Sequence, residues 1–351
     1  AITFYYLLLQ WPANNQSAVI ETEDTTYISN YNDSEPSLSE PLSPLSTSPI
    51  SNNGNDESED KYFQIQNESL SLLVNARTGR FEFSKLKTIN KSKDSDEPFM
   101  VLGKTLNKDS GIENIYFANS GFYTRAQGYL NPEFTKFSER QTDGSSRIYS
   151  LEGNANGMSF SRTIEMPKNG YKMIVEDRII SSLNEDVSIT PYVVIERDDS
   201  VVEEAGLMYT YLGPVFSSTK DTYEKYDFDD IREASYQNKS YGGWVALIQH
   251  YFLSAWVPEK DEEYLYQGRY GENSRRYSLG YTSRDSVLSY GDSKSIKNTL
   301  YVGPKLPKQL AEIEENLDLT VDYGFLWWLG KPMYWLLDLG NSIFNNWGLA
   351  I

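Results

Sequence analysis

The sequence contains no cysteine and only one histidine, His250, in 351 residues. The absence of cysteine excludes a disulfide framework, a thiolate nucleophile and a cysteine-ligated zinc site, and it is compatible with either redox compartment. A single histidine likewise excludes a histidine-rich metal centre. His250 lies in an apolar run, and no second histidine or cysteine exists to complete a catalytic constellation. We therefore expect His250 to have a packing or surface role.

Basic residues are also scarce, with 32 Lys and Arg against 50 Asp and Glu and a net charge of −18. Nucleic-acid binding requires a basic stripe that neutralises phosphates, so this balance excludes it. The acidic residues Glu224, Asp227, Asp229 and Asp230 lack the spacing of a calcium-binding loop, which favours a solvated loop. The sequence therefore predicts no metal, no cofactor and no enzymatic activity.

No apolar run reaches the roughly 20 residues that a membrane-spanning helix requires. The nearest candidate is the start of the chain, where residues 2–11 are almost all apolar and end at Trp11. No basic segment precedes this run and no small-residue cleavage site follows it, so it does not resemble a signal peptide. We interpret residues 1–11 as the end of a first transmembrane helix. The alternative is a short buried strand or helix.

Residues 12–60 carry ten acidic side chains and no basic one, and they are rich in Ser, Pro and Asn. Such a segment buries too little apolar surface to offset the entropy of ordering it, which predicts a disordered acidic linker. Segments next to a membrane helix that stay in the cytoplasm are usually rich in Lys and Arg. The acidic linker therefore indicates the outer side of the membrane.

From Lys61 onwards, alternating apolar residues predict many short strands. The segment Asn75–Gly79 predicts a turn, and Asn169-Gly170 predicts a hairpin. Polar loops are predicted at 90–97, 107–113 and 260–276, and a short helix at 307–316. This pattern is typical of an antiparallel sandwich or barrel, which we place at residues 61–318. The predicted strands are 62–66, 69–74, 81–83, 147–151, 159–166, 172–180, 187–195, two within 244–257, 277–282 and 298–302.

The last segment, residues 319–351, contains four of the seven tryptophans. Pro332 is suited to the first position of a helix, because that position needs no N–H donor. From there, apolar residues recur at helical spacing through residue 344, which predicts an amphipathic helix over 332–344. This helix either covers a hydrophobic core or lies on a membrane surface. The candidates for membrane contact are Trp327, Trp328, Trp335, Leu336, Leu337, Phe344 and Trp347.

Five segments resemble the YidC membrane protein insertases of Gram-negative bacteria in order and spacing. The turn NARTG at Asn75–Gly79 is also similar to the Asn-x-Arg-x-Gly turn that opens the family's periplasmic domain. One departure is Gly330-Lys331-Pro332, where the family has Ser-Gln-Pro-like residues, and it concerns the contacts at the helix start. The five segments are TYEKYDFDDI (222–231), GGWVALIQHYFLSAWVP (242–258), NTLYVGP (298–304), LDLTVDYGFLWWLGKPM (317–333) and NNWGLAI (345–351).

The resemblance implies a mainly β fold, an antiparallel β-supersandwich similar to galactose mutarotase, in the periplasm. It implies an interfacial helix that leads into a second transmembrane helix, and an insertase groove with its arginine beyond Ile351. The implied function is to assist the insertion, folding and assembly of integral inner-membrane proteins, alone or with the Sec translocon. The implied partners are integral membrane protein clients, the Sec translocon with its accessory subunits, and the lipid bilayer.

A different class of function stays open from the sequence. A membrane-tethered carbohydrate-binding or carbohydrate-processing sandwich would have the same β pattern. Sugar epimerisation on this fold type uses paired histidines with a carboxylate, which a sequence with His250 alone does not provide. The aromatic residues Tyr223, Tyr226 and Phe228 either line a groove for a peptide or lipid, or pack in the core.

Overall fold

The structure is a computed structural model, and it describes residues 61–106, 113–142, 146–199, 211–260, 262–321 and 327–344. The predicted transmembrane end (1–11), the predicted linker (12–60) and most of the predicted loop at 107–113 lie outside these residues. The strands are β1 Tyr62–Gln66, β2 Leu70–Asn75, β3 Phe81–Asn90, β4 Pro98–Phe99, β5 Gly103–Leu106, β6 Glu113–Thr124, β7 Gly128–Tyr129, β8 Glu133–Gln141, β9 Ser146–Ala155, β10 Met158–Pro167, β11 Lys172–Ser181, β12 Val187–Asp198, β13 Gly213–Ser217, β14 Glu224–Lys225, β15 Tyr236–Tyr241, β16 Trp244–Ile248, β17 Phe252–Pro258, β18 Glu263–Gly271, β19 Arg276–Thr282, β20 Ser286–Leu288 and β21 Ser293–Pro304. The helices are α1 Phe228–Glu233, α2 Pro307–Ile313, a 3-10 helix Leu317–Thr320 and α3 Trp327–Phe344.

The strands form two antiparallel sheets. The larger sheet has the order β1-β2-β3-β6-β12-β19-β18-β15, with β4 on β3, β5 and β7 on β6, and β20 on β12. The smaller sheet has the order β14-β13-β16-β17-β21-β11-β10-β9-β8. Neighbouring strands run antiparallel throughout, as in the pairing of β10 with β11 and of β12 with β19. The prediction of an antiparallel sandwich is therefore confirmed.

The hydrophobic core lies between the two sheets, and Trp256 is one of its largest side chains. Trp256 of β17 is fully buried, its ring meets Phe81 of β3 at 6.3 Å, and its Nε1 donates to the carbonyl of Val194 on β12 at 3.1 Å. Burying an indole is favourable only when its N–H finds an acceptor, and the facing sheet supplies that acceptor. One side chain thus joins the sheets through both packing and a hydrogen bond.

An ion pair is buried between the same two sheets. Arg162 on β10 donates from Nε to Asp177 Oδ1 on β11 at 2.6 Å, and both side chains are almost fully buried. Arg162 Nη2 donates to the carbonyl of Ser120 on β6 at 2.7 Å, and the Ser120 hydroxyl donates to Asp177. Arg162 Nη1 donates to the carbonyl of Gly79. The pair therefore links the smaller sheet to the larger one.

The turn predicted at Asn75–Gly79 is confirmed. Asn75 Oδ1 accepts hydrogen bonds from the backbone N–H groups of Arg77 at 2.9 Å and Thr78 at 3.2 Å. Gly79 closes the turn with φ +71°, a conformation that favours glycine. Because the Gly79 carbonyl accepts from Arg162, the turn is fixed to the buried ion pair.

The hairpin predicted at Asn169-Gly170 is confirmed between β10 and β11, with Gly170 at φ +97°. A second Asn-Gly pair, at 156–157, is not among the predicted turns. Asn156 and Gly157 have φ of +50° and +75° and join β9 to β10 through a two-residue loop. Positive φ at both central residues is the type I′ hairpin geometry, which matches the twist of paired strands.

The polar loop predicted at 260–276 is wrong in its middle, where the structure places β18. This strand pairs with β15 on one side and β19 on the other. Tyr264 and Tyr266 are buried, as is the uncharged polar Gln267. Gly268 permits close packing, since a Cβ there would lie 3.0 Å from Phe216. A central strand with a buried amide and a glycine has the composition of a loop, although its tyrosines favour strands.

Candidate membrane interface

The C-terminal helix α3 is longer than the sequence predicted. It runs from Trp327 to Phe344, 18 residues, whereas the prediction began it at Pro332. Pro332 lies in the second turn, where it removes one backbone hydrogen bond, to the carbonyl of Trp328. The prediction of Pro332 as the first helical residue is therefore wrong. The fixed φ of this proline is itself compatible with a helix. An apolar segment precedes it. At about 1.5 Å per residue, α3 is about 27 Å long.

The apolar side chains of α3 are exposed. Trp335 is 65% exposed, Leu336 55% and Ile343 68%, and Met333 and Leu339 are also exposed. None of the α3 residues whose exposure the structure describes is buried. Contiguous exposed apolar surface on a folded protein marks a binding surface for a protein, a ligand or a membrane. The core-covering alternative for this helix is not supported by these exposures.

The exposed apolar residues form one stripe along α3. At 100° per residue, Met333, Leu336, Leu339 and Ile343 fall within about 120° of arc, and Trp335 extends the stripe on one side. The polar residues at 331, 338 and 342 fall outside this arc, next to Trp335 on the remaining surface of the helix. Helix α3 is therefore amphipathic, as predicted, with a wide apolar face.

The seven predicted interface residues have different outcomes. Trp335 and Leu336 are exposed on α3, and Leu337 is partly exposed. Trp327, Trp328 and Phe344 lie on the helical backbone of α3, and the exposure of their side chains is not described. Trp347 lies outside the described residues. Within the described part of the chain, no helix combines the length and the hydropathy needed to cross a bilayer.

The segment before α3 is firmly attached to the sandwich. Leu310 of α2 and Leu317 of the 3-10 helix are fully buried against the core. Trp244 Nε1 donates to the carbonyl of Glu315 at 3.3 Å, and Lys260 Nζ lies 2.8 Å from Glu314 Oε1. This hydrogen bond with Glu314 raises the pKa of Lys260. The predicted helix at 307–316 is thus confirmed as α2, and it holds the chain up to Val321, six residues before α3 begins.

The residues with candidate chemistry have structural roles. His250 is exposed in the turn between β16 and β17, with its ring edge-to-face against Tyr251 at 4.1 Å. Asp227 precedes α1, and its backbone N–H donates to Asp230 Oδ2 at 2.9 Å. Asp229 pairs with Arg232 at 3.4 Å. Among the described residues, no group of three or more His, Asp or Glu is placed to hold a metal ion.

The aromatic residues near α1 pack against the core. Tyr223 contacts Trp244, Tyr226 meets Phe216 at 6.0 Å, and Phe228 meets Tyr277 at 4.6 Å. Partial burial and the nearby carboxylate of Glu224 raise the pKa of Tyr226. These side chains fill the edge of the sandwich, so the structure favours packing over a groove.

A buried polar cluster in the larger sheet has no signal in the local sequence pattern. Glu196 of β12 is fully buried, accepts from the hydroxyl of Ser278 on β19 at 3.0 Å and lies 3.8 Å from Arg276. Register explains this cluster, because Glu196 lies directly opposite Ser278. Glu196 and Ser278 are 82 residues apart in the sequence, so no local pattern predicts that they meet.

Two solved structures align with most of this chain at low sequence identity. The GH36 α-galactosidase AgaB from Geobacillus stearothermophilus aligns over 74% of this chain and 42% of its own, with a TM-score of 0.48 and 6% identity. A galactose mutarotase-like protein from Lactobacillus casei aligns over 69% of this chain and 100% of its own, with a TM-score of 0.40 and 6% identity.

Curated relatives are similar in sequence along most of the chain. The membrane protein insertase YidC of Haemophilus influenzae Rd is 31% identical over 357 residues, which cover 97% of this chain and 62% of that protein. The membrane protein insertase YidC of Pasteurella multocida is 29% identical over 304 residues, covering 84% of this chain and 54% of that protein. The chain thus spans roughly three fifths of the length of the curated relatives it matches. The sequence profile of the YidC periplasmic domain matches residues 62–336, so this chain belongs to the family of the YidC periplasmic domain.

Proposed function

We propose that this chain is the periplasmic part of a membrane protein insertase and chaperone. It would assist the insertion, folding and assembly of integral inner-membrane proteins, alone or with the Sec translocon, without catalysing a reaction. The observation that carries the proposal is the uncovered apolar face of α3, in a chain whose relatives are membrane protein insertases. The insertase groove would lie outside this chain.

The proposed organisation follows the chain. Residues 61–318 would form the periplasmic sandwich, and 319–351 would lead through α3 to a second transmembrane helix; residues 1–60, which lie outside the described residues, would connect the sandwich to the membrane on its other side. In this proposal the protein would belong to the bacterial inner membrane, with most of the chain in the periplasm. Its partners would be integral membrane protein clients, the Sec translocon and the lipid bilayer.

In this proposal α3 lies flat on the periplasmic leaflet. Its length of about 27 Å is close to the thickness of the hydrocarbon core, about 30 Å, but its amphipathic face and the charges of Lys331 and Asp338 suit an interface better than a span. Trp335 and Leu336 would enter the boundary between headgroups and acyl chains, where tryptophan is favoured. Lipid would then cover the surface that the sandwich leaves open.

The attachment of the preceding segment to the sandwich suggests a mechanical role for α3. The buried residues Leu310 and Leu317 hold the chain rigidly to the sandwich up to Val321. A membrane-bound α3 would therefore transmit the position of the periplasmic domain to the spanning helices while they move around a client. This coupling is mechanical, so it requires no ligand.

The test is to put charge on the apolar face in the full-length protein. Leu336→Asp/Leu337→Asp should weaken client insertion in cells depleted of their own insertase, because it puts two charges on the apolar face that would meet lipid. Asn341→Asp/Ser342→Asp adds the same charge on the more polar part of α3 and should leave insertion unchanged. Both variants should keep a folded sandwich, measured by thermal unfolding. Equal insertion by the two variants would contradict the proposal.

A further inference from the structure

A small group of apolar side chains lies exposed on the sandwich itself. Tyr241 is 53% exposed, Val287 64% and Tyr290 70%. In the described residues of the sandwich, one other large apolar side chain is exposed, Tyr251 at 68%. The first three lie at one end of the strands and Tyr251 lies at the other, as the strand register shows.

The register brings Tyr241 and the β20 region to the same end. Tyr241 is the last residue of β15 and pairs with Glu263, the first residue of β18. Glu263 forms an ion pair with Arg284 at 3.7 Å, three residues before Val287. Strands β15 and β12, which pairs with β20, are three strand intervals apart, or about 14 Å. We call Tyr241, Val287 and Tyr290 the apolar rim.

A tight turn keeps Tyr290 exposed. The backbone N–H of Ser289 donates to Asp292 Oδ2 at 3.0 Å, and the N–H of Asp292 donates to the Ser289 carbonyl at 3.0 Å. Gly291 has φ +85°, and its N–H donates to the carbonyl of Ser181 at 2.8 Å. These bonds fix the backbone of the turn to the end of β11, and Tyr290 lies in this turn with its side chain exposed.

The chain leaves the last strand at the Tyr251 end, where the N–H of Lys305 donates to the Tyr251 carbonyl at 2.9 Å, and α2 then leads it back toward the rim end, where Glu314 meets Lys260. Tyr241 is followed by Gly242, where a Cβ would lie 3.5 Å from the side chain of Lys260. Lys260 in turn pairs with Glu314 at 2.8 Å, seven residues before Val321. Because Val321 and Trp327 are six residues apart, at most about 20 Å of extended chain separates the sandwich from α3. Helix α3 therefore begins within that distance of the end of the attached segment at Val321.

Several carboxylates at this end are paired with cations, while Asp186 and Asp292 accept hydrogen bonds from Ser289 instead. Beyond the pairs of Glu263 and Glu314, Glu262 lies 3.4 Å from Lys294, and Glu259 lies 3.5 Å from Lys297. Pairing lowers the cost of bringing these carboxylates toward a less polar medium. Tyrosine has an apolar ring with a polar hydroxyl, which is the chemistry enriched at membrane–water interfaces.

We propose that the apolar rim contacts the headgroup region of the same bilayer surface as α3, so that the sandwich stands on its β15–β20 end. This proposal rests on the proposed function of α3 and adds a second contact that fixes the orientation of the domain. The expected surface is zwitterionic lipid, because the protein carries a net charge of −18 and the rim offers aromatic rings and no cationic patch.

The absence of cysteine provides a direct test in the full 351-residue chain. Single cysteines at Tyr290, Tyr251 and Ile343, each labelled with an environment-sensitive fluorophore, report on the rim, the opposite end and α3. The probe membrane is a phosphatidylcholine vesicle with a nitroxide quencher near the headgroups. Probes at 290 and 343 should be quenched and the probe at 251 should not. The probe at 251 is the matched control, because Tyr251 is as exposed as Tyr290.

The possible outcomes separate the two proposals. Quenching at 343 without quenching at 290 overturns the rim contact and leaves the α3 proposal standing. Quenching at 290 without quenching at 343 supports the rim and contradicts α3 as an interfacial helix. Quenching at 251 to the same degree as at 290 shows non-specific adsorption and overturns the rim contact. No quenching at any position contradicts both proposals.

A second measurement uses variants without a label. Tyr241→Ser/Val287→Ser/Tyr290→Ser should weaken vesicle binding about tenfold, which corresponds to about 1.4 kcal/mol. Tyr251→Ser should leave binding unchanged. Anionic lipid should not strengthen binding of the parent chain. Unchanged affinity of the triple variant, or binding that grows strongly with anionic lipid, would overturn the rim as the contact.

Discussion

The two tryptophans of the sandwich and Trp335 of α3 have opposite surroundings. Trp244 and Trp256 are 0% exposed, and each indole N–H donates to a backbone carbonyl. Trp335 on α3 is 65% exposed. The same side chain is thus fully covered by protein in one region and uncovered in the other. The difference teaches that the sandwich supplies its own apolar cover, whereas α3 requires cover from outside the described chain.

The polar groups show the same contrast. Arg162 is buried in the sandwich with hydrogen bonds to Asp177, Ser120 and Gly79. In α3, the charged positions 331 and 338 fall outside the arc of the apolar stripe. The free energy of unfolding should therefore depend on the sandwich contacts, and membrane binding on the α3 stripe. A substitution in one region should have little effect on the property that depends on the other.

The largest expected effect is at the buried ion pair. Arg162→Met leaves Asp177 buried without a partner and should lower the free energy of unfolding by about 3–5 kcal/mol, measured by urea denaturation. Arg162→Met/Asp177→Leu removes both charges and should recover part of this loss. Quenching of α3 by lipid should not change in whichever of the two variants remains folded. A loss below about 1 kcal/mol in the single variant would show that the pair does not hold the sheets together.

The next effect concerns the helix that covers the smaller sheet. Leu310 is fully buried, so Leu310→Ala should cost about 2–5 kcal/mol in unfolding free energy. Ile313→Ala is the control on the same helix, and it should cost less because Ile313 is only partly buried. Equal small losses for both would mean that α2 is not part of the cooperative sandwich.

Acid should loosen the sandwich through Asp199. Burial alone would raise the pKa of Asp199, but hydrogen bonds from Arg275 and Tyr270 outweigh burial and lower it. A carboxyl whose pKa is lower in the folded state stabilises the fold above its unfolded value, near 3.8, and this contribution is lost as the pH falls through the folded pKa. The exposed Arg275 limits the effect to less than about 1 kcal/mol. Asp199→Asn should flatten the acid limb of the stability curve, and an unchanged limb would count against this pair.

The smallest stability effect is expected on α3. Leu336→Ala makes the same chemical change as Leu310→Ala, but at a leucine that is 55% exposed. It should change the unfolding free energy by less than about 0.5 kcal/mol. Chemical denaturation of the two variants side by side compares a leucine covered by protein with one that is not. A loss above about 2 kcal/mol for Leu336→Ala would mean that α3 packs on the sandwich after all.

Local pattern predicted the parts of the fold that local physics determines. The alternation of apolar residues predicted the bounds of β1, β10 and β11 to within one residue. The Asn-Gly pair at 169–170 predicted the hairpin between β10 and β11. Strand β6 was missed, because its Asn119, Ser120 and Gly121 have the composition of a turn. In the structure the Ser120 hydroxyl donates to Asp177, which lies 57 residues away in the sequence. A local pattern therefore could not predict this strand.

The candidate interface was predicted in the same way, from helical period. The apolar stripe through Leu336 and Ile343 was visible in the sequence, because an amphipathic helix carries its own signal. The start of α3 was not, since a proline is common at a helix start and gives no sign of helical residues before it. The apolar rim was also invisible, because Tyr241 and Tyr290 come together only through strand pairing.

The central claim is that lipid covers the apolar stripe of α3, and single cysteines along this helix test it most directly. The measurement is the rate of alkylation by a water-soluble maleimide, with and without phosphatidylcholine vesicles. Vesicles should slow the reaction about tenfold or more on the apolar stripe and leave the polar side unchanged, giving a period of 3.6 residues. Slow reaction on the stripe without vesicles, or no periodic change with them, would contradict the claim. The positions are 333, 336, 339 and 343 on the stripe and 331, 338 and 342 outside it.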